Sequence, residues 1–168
     1  NKLFKRELEN FDMPEVYNAV NRMQATGFKV NKFVLDVMKH AWDNGIAMGG
    51  MPPIKNMEIP NKPHDIDTNA EARKEWKKQA VICHTENSRM FSKRLLYAKI
   101  LWEADKFKDY ENIYFPLQLD FRGRAYCVPA FLNYQGISGA KALLEFSHGK
   151  EITEDNSGGF WLAVHGAN

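Results

Sequence analysis

Apolar residues recur every three or four positions through much of the first 107 residues, and between residues 112 and 131 they alternate singly. The first period belongs to helices buried along one side, the second to strands with one covered face. In "FDMPEVYNAVNRM", Val16, Val20 and Met23 share a face. Asp12 and Glu15 there have capping-box spacing, with Pro14 at an early helical position where its missing N–H costs nothing, and Gly27 can supply the stop. A second helix is expected after Asn31, with Val34, Val37, Met38 and Ala41 inward, fraying into the long Gly- and Pro-rich loop "DNGIAMGGMPPIKNMEIPNKPHDID". Thr68 and Glu71 form another capping box and open a mostly helical stretch to about Phe107. In it Trp76, Ala80 and Cys83 make one stripe and Leu96, Ile100, Ala104 and Phe107 another, with "HTENSR" as a candidate break.

The alternating stretch "NIYFPLQLDFRGRAYCVPAF" predicts two strands joined by a tight turn. Leu117, Leu119 and Phe121 share one parity and are expected to face a core, while Asp120, Arg122, Arg124 and Tyr126 point the other way. A bulge at Gly123 would reset the parity of the second arm. Helices first and sheet afterwards predict a mainly helical α+β fold, an α-rich unit leading into an α+β unit with the boundary near residue 110.

Composition adds little to this, but charge adds something. The chain has 168 residues, 44% hydrophobic and 26% charged, enough for a compact core. Cys83 and Cys127 lie far apart without ligand spacing, which argues against a disulfide scaffold or zinc site and for a reducing compartment. No apolar run approaches the roughly 20 residues of a membrane span, so a soluble protein is expected. The chain starts without Met on a helical pattern and stops within another, from which a piece of something longer is expected. Residues 71 to 108 carry ten basic and five acidic groups, between a neutral head and a tail with four and seven. A basic helical segment of that kind can follow a phosphate backbone; a solvated Lys/Arg face is the alternative.

Chemistry concentrates at the turn. Arginine donates only and stays protonated, so two guanidinium groups beside one carboxylate suit an anionic ligand. Asp120 can steady one arginine while the other grips phosphate through paired charge-assisted hydrogen bonds, and the Gly123 N–H could join in. A hairpin merely decorated by Arg/Asp pairs remains open as the alternative. Lys141, near Leu143, Leu144 and Phe146, either faces the same site or is an ordinary surface lysine. The other polar motifs point to structure. His64, Asp65 and Asp67 suit loop capping better than metal ligation. Neighbours Cys83 and His84 point about 100° apart on a helix and make no nucleophile pair. His148 and His165 lack an acid partner, "NYQGISGAK" lacks a Walker pattern, and the four tryptophans on helical patterns are expected to be buried.

The stretches "YFPLQLDFRGRAY", "QGISGAKALLEFSHGKEI" and "FWLAVHGAN" resemble the single-subunit, bacteriophage-type DNA-directed RNA polymerases, relatives of the mitochondrial enzyme, and "DFRGRAY" looks like their Asp-x-x-Gly-Arg motif. The resemblance continues upstream through "FKVNKFVLDV", "NKPHDIDTNAEARKEWKKQA" and "WEADKFKDYENIYFP", covering the chain from about residue 15. It implies that Asp120, Gly123 and Arg124, with neighbours Arg122 and Tyr126, lie at the palm edge beside template and RNA–DNA hybrid, with Arg124, oriented by Asp120, clamping a template or hybrid phosphate. Lys141 would stand near the same channel. Lys93 and Arg94 match a basic pair in a helical thumb. By this resemblance residues 1–25 end an N-terminal domain, 26–110 form the thumb-like region and 111–168 begin the palm.

The same resemblance implies that the family's two metal-binding aspartates, catalytic lysine and tyrosine, and its promoter-reading loop, would all lie downstream of this chain's last residue. Mg2+ therefore belongs to the parent enzyme, and this chain alone is expected to make no RNA. DNA template, nascent RNA and, through the parent, ribonucleoside triphosphates are the implied partners. A monomer is expected, in the cytoplasm of an infected bacterial host or alternatively in a mitochondrion. Two other classes stay open: a non-enzymatic nucleic-acid-binding module, and a structural helical domain that docks a protein partner.

Overall fold

A computed structural model describes residues 2–153 and 157–168. The chain forms a mainly helical α+β fold. Helices α1 (Lys2–Glu9) and α2 (Pro14–Gln24) lead to a short strand β1 (Phe28–Val30) and helix α3 (Lys32–Asp43). After a long loop comes α4 (Ala70–Phe107), then the hairpin β2 (Leu117–Leu119) and β3 (Ala125–Cys127), helix α5 (Ser138–Ala142), strand β4 (Leu144–Phe146) and helix α6 (Gly158–Ala167).

The expected helices form, with different ends. Pro14 opens α2, but Met13 precedes it without a side-chain cap, and α2 buries no residue. Asn31 caps α3, its side chain accepting from the Val34 N–H at 3.0 Å. Leu35, Met38 and Ala41 are the buried line of α3, and Val37 is exposed. For α4 the cap is Asn69 rather than Thr68: its Oδ1 accepts from the Glu71 and Ala72 N–H groups, both at 3.1 Å. A turn closed on Asp65 selects it, since the Asn69 amide donates to Asp65 Oδ2 at 2.7 Å. "HTENSR" causes no break, and α4 runs uninterrupted for 38 residues, about 57 Å.

The core joins segments on both sides of residue 110. Val30, Leu35, Met38, Ala41 and Met51 pack with Tyr97, Ile100, Leu101 and Ala104 of α4, and with Leu132, Ala140 and Leu143. The expected stripe of α4 is inward: Ile100 and Ala104 are fully buried, with Leu96 and Phe107 packed against them. Strand β1 pairs antiparallel with β4, Phe28 opposite Phe146 and Val30 opposite Leu144. Phe28 gathers Phe115, Tyr134 and Phe146 into an aromatic cluster, with ring centroids 5.0–5.3 Å away. The tryptophans depart from expectation. Trp42 and Trp76 are half-buried, but Trp102 and Trp161 are each 64% exposed. Trp102 turns away from the buried line of α4, and Lys106 covers its ring. Among the described residues no helix is long and apolar enough to cross a membrane.

Candidate nucleic-acid interface

The hairpin displays Asp120 and both arginines at its tip. Strands β2 and β3 pair antiparallel, Leu117 opposite Cys127 and Leu119 opposite Ala125. The turn closes through Asp120 N–H to Arg124 O at 2.9 Å and Gly123 N–H to Asp120 O at 3.0 Å. Gly123 has φ +78°, a left-handed conformation that glycine adopts without penalty. Its N–H is engaged in the turn instead of being presented to a ligand. Phe121 lies beyond the end of β2, in the turn, and is 94% exposed, so the expected apolar face Leu117, Leu119, Phe121 does not form. Its ring lies under the Arg122 guanidinium instead, 5.4 Å from the centroid.

Asp120 organises the tip. One oxygen accepts from the backbone N–H groups of Arg122 (2.9 Å) and Arg124 (3.0 Å). The other takes Arg122 Nε at 3.0 Å and Nη2 at 2.9 Å, with the Tyr126 hydroxyl at 3.4 Å. The Arg124 N–H first, then the Arg122 side chain and N–H, hold this carboxyl below its ordinary value, against partial burial. Against the expectation that Asp120 orients Arg124, the steadied arginine is Arg122: the tight turn folds its guanidinium back onto Oδ2, while Arg124 offers the carboxylate only its backbone N–H. Arg124 is held only through its backbone; among the described residues its guanidinium makes no ion pair or hydrogen bond, and the residue is exposed.

Two glutamines without a sequence signal pin the hairpin. The Gln135 amide accepts from Cys127 N–H at 2.8 Å and donates to Ala125 O at 2.9 Å, completing the outer edge of β3. Gln24, at the end of α2, accepts from Leu117 N–H at 2.8 Å on the edge of β2. Backbone groups on a two-stranded ribbon otherwise need water or another strand.

The remaining candidate residues are spread over other elements. Lys141 lies exposed on α5 and Lys93 exposed on α4. Arg94 is engaged by the preceding loop, donating to Pro53 O at 2.9 Å, Asn56 Oδ1 at 3.0 Å and Lys55 O at 3.4 Å. The "HDID" aspartates do close their loop: Asp65 anchors Asn69, and Asp67 pairs with Arg73 at 3.2 Å. Among the described residues no three His, Cys, Asp or Glu side chains gather around a cation position. The Asp120 oxygens already face N–H and O–H donors. These groups do not fit Mg2+ ligation.

The chain is 43% identical over 162 residues, 95% of its length, to the DNA-directed RNA polymerase of Enterobacteria phage T3. It is 41% identical over 165 residues to the corresponding enzyme of Enterobacteria phage K11, and 33% identical over 158 residues to the mitochondrial DNA-directed RNA polymerase of Neurospora crassa. The chain is a homologue of one segment of the single-subunit DNA-directed RNA polymerases. It spans 18% of the length of these two phage relatives and 11% of the mitochondrial one. No protein-family model matches. The matched span covers nearly the whole chain and so takes in residues 120–124.

Proposed function

We propose that this chain supplies nucleic-acid contacts within a DNA-directed RNA polymerase, gripping template and RNA–DNA hybrid while groups elsewhere in the parent perform nucleotidyl transfer. The observation that carries the proposal is the exposed Arg124 guanidinium, without an ion pair among the described residues, on a turn that Asp120 closes. A donor-only fork presented by a fixed backbone binds a phosphate with little further ordering. Arg122, stapled to Asp120, shapes the turn. Lys141 and Lys93 add positive charge that tracks a backbone without reading bases. In this reading residues 26–110 act as a thumb and residues 111–168 begin the palm, with 1–25 closing an N-terminal domain. In-line displacement requires the primer end and template to be aligned, which is the work assigned to this chain. It should incorporate no nucleotide by itself, and Mg2+ and ribonucleoside triphosphates would be held by the rest of the parent. The phage, mitochondrial and chloroplastic origins of the relatives support either a phage-infected bacterium or an organelle as the setting.

The test is binding of a fluorescent RNA–DNA hybrid to the chain and to Arg124→Ala over a salt series. Loss of one phosphate contact should weaken binding uniformly across sequences and reduce the magnitude of the log–log salt slope by about 1. In the longer polymerase the same substitution should increase abortive release. An unchanged slope together with an unchanged abortive pattern would refute the role.

A further inference from the structure

The loop between α3 and α4 has no helix or strand, and a loop of this length is uncommon unless it has work to do. It runs back along α4. Trp76 Nε1 donates to Pro60 O at 2.7 Å, the Cys83 thiol reaches Glu58 O at 3.6 Å, and the Asn87 amide both accepts from Met57 N–H (2.8 Å) and donates to Met57 O (2.9 Å). Arg94 takes Pro53 O, Lys55 O and Asn56, and at the other end Arg73 donates to Ile66 O at 2.9 Å. Loop positions fall as helix positions rise, so the two run antiparallel. Residues 76, 83, 87 and 94 lie within about 20° of one line at 100° per residue. One face of the helix is therefore dedicated to the loop backbone.

The first two-thirds of α4 has little else to hold it. Four of its six buried residues, Tyr97, Ile100, Leu101 and Ala104, lie in the last third. Ahead of them only Ala80 and Cys83 are buried, Cys83 on the line that the loop covers and Ala80 about 40° from it. Apart from Met51, which is buried in the core, attachment is mainly polar, because Ile54, Met57 and Ile59 of the loop are 43–62% exposed. Prolines at 52, 53, 60 and 63 restrict the loop before it docks and reduce the entropy lost on docking.

We propose that residues 51–66 are a splint for the projecting part of α4, with Trp76, Asn87 and Arg94 as its positioning residues. The consequence for nucleic acid rests on the reading of α4 as the arm that closes over a hybrid: a splinted arm keeps its basic face in place, and a loosened one does not. A helical segment without tertiary packing frays, and its opening is read by amide exchange.

The experiment compares the full chain with Asn87→Ala, Asn87→Asp and Trp76→Phe by hydrogen exchange, and measures affinity for an RNA–DNA hybrid duplex. Asn87→Ala removes two hydrogen bonds and should speed exchange at residues 73–95 on the order of tenfold, with residues 97–104 unchanged. Asn87→Asp still accepts from the Met57 N–H but sets an oxygen against Met57 O where the amide donated, and should loosen the same region. Trp76→Phe keeps the ring under Lys62 and should loosen the same region. Hybrid affinity should drop several-fold in step with exchange. Unchanged exchange at 73–95 in both Asn87→Ala and Trp76→Phe, or an equal rise at 97–104, would overturn the splint. Loosening without loss of affinity would overturn its link to gripping. A parent chain that binds no hybrid counts against the functional reading alone, and the exchange pattern still decides the splint.

Discussion

Gly139→Ala should destabilise the chain at the joint between α4 and α5. An alanine Cβ there would lie 2.8 Å from Tyr97 Cε1, 3.1 Å from its hydroxyl oxygen and 3.3 Å from Met38 Cε. The methionine end can swing aside; the ring cannot. Tyr97 is 2% exposed, its hydroxyl donates to Gly49 O at 2.9 Å, and a Cβ at Gly50 would stand only 2.8 Å from that same hydroxyl. Alanine is intrinsically better in a helix by about 0.8–1.0 kcal/mol, though less at the second position of a five-residue helix. Overpacking a rigid core costs about 1–3 kcal/mol. With a contact this short and a ring held at both ends, the steric term wins by about 1–2 kcal/mol, equivalent to a drop in melting temperature of about 2–8 °C for a chain of this size. Thermal unfolding followed by circular dichroism measures it. Gly149→Ala, with nothing within 4 Å of its added Cβ, is the control and should stay within about 0.5 kcal/mol of the parent. A Gly139→Ala protein that melts at or above the parent temperature would show that the ring yields, and the reasoning fails.

Two further outcomes follow from the caps and the turn. Asn69→Ala should lower stability by about 1 kcal/mol in urea unfolding, while Thr68→Ala, whose hydroxyl donates only to Asp65 O at 3.2 Å, should change it far less; equal effects would contradict Asn69 as the cap. Asp120 is held below the ordinary carboxylate range, first by the Arg124 N–H, so its contribution is complete above the unfolded value and is lost as pH falls through the folded one. The Arg124 amide resonance should accordingly hold its position from neutral pH down to the ordinary aspartate value of about 3.9 and move only below it, whereas movement at higher pH would count against the assignment.

The parts of this protein that were readable in advance are those whose interactions close within a few residues. The Asp120–Arg124 turn is one, because Asp120 meets its partners two and four positions along the chain and Gly123 is the residue that its φ requires. The Leu96–Ile100–Ala104 stripe is another, since helical period alone puts those side chains on one face. Misreadings arose where a neighbour decided. Phe121 has strand parity, but the strand ends at Leu119 and the ring finds Arg122. Thr68 has the capping-box spacing, but the Asp65 turn puts Asn69 at the helix end.

By itself, then, the sequence determined the helices, the turn and its basic-plus-acidic chemistry, because helical period, capping chemistry and turn residues act locally. Only the tertiary structure decided that β1 pairs with β4 from more than a hundred residues away, three residues being too few to show alternation. It also decided that Gln24 and Gln135 close the hairpin edges, and that Arg94 holds a loop while Arg124 is left exposed. Those outcomes depend on which distant backbone groups arrive beside a side chain, and a donor's partner is chosen by proximity in space, which spacing along the chain does not encode.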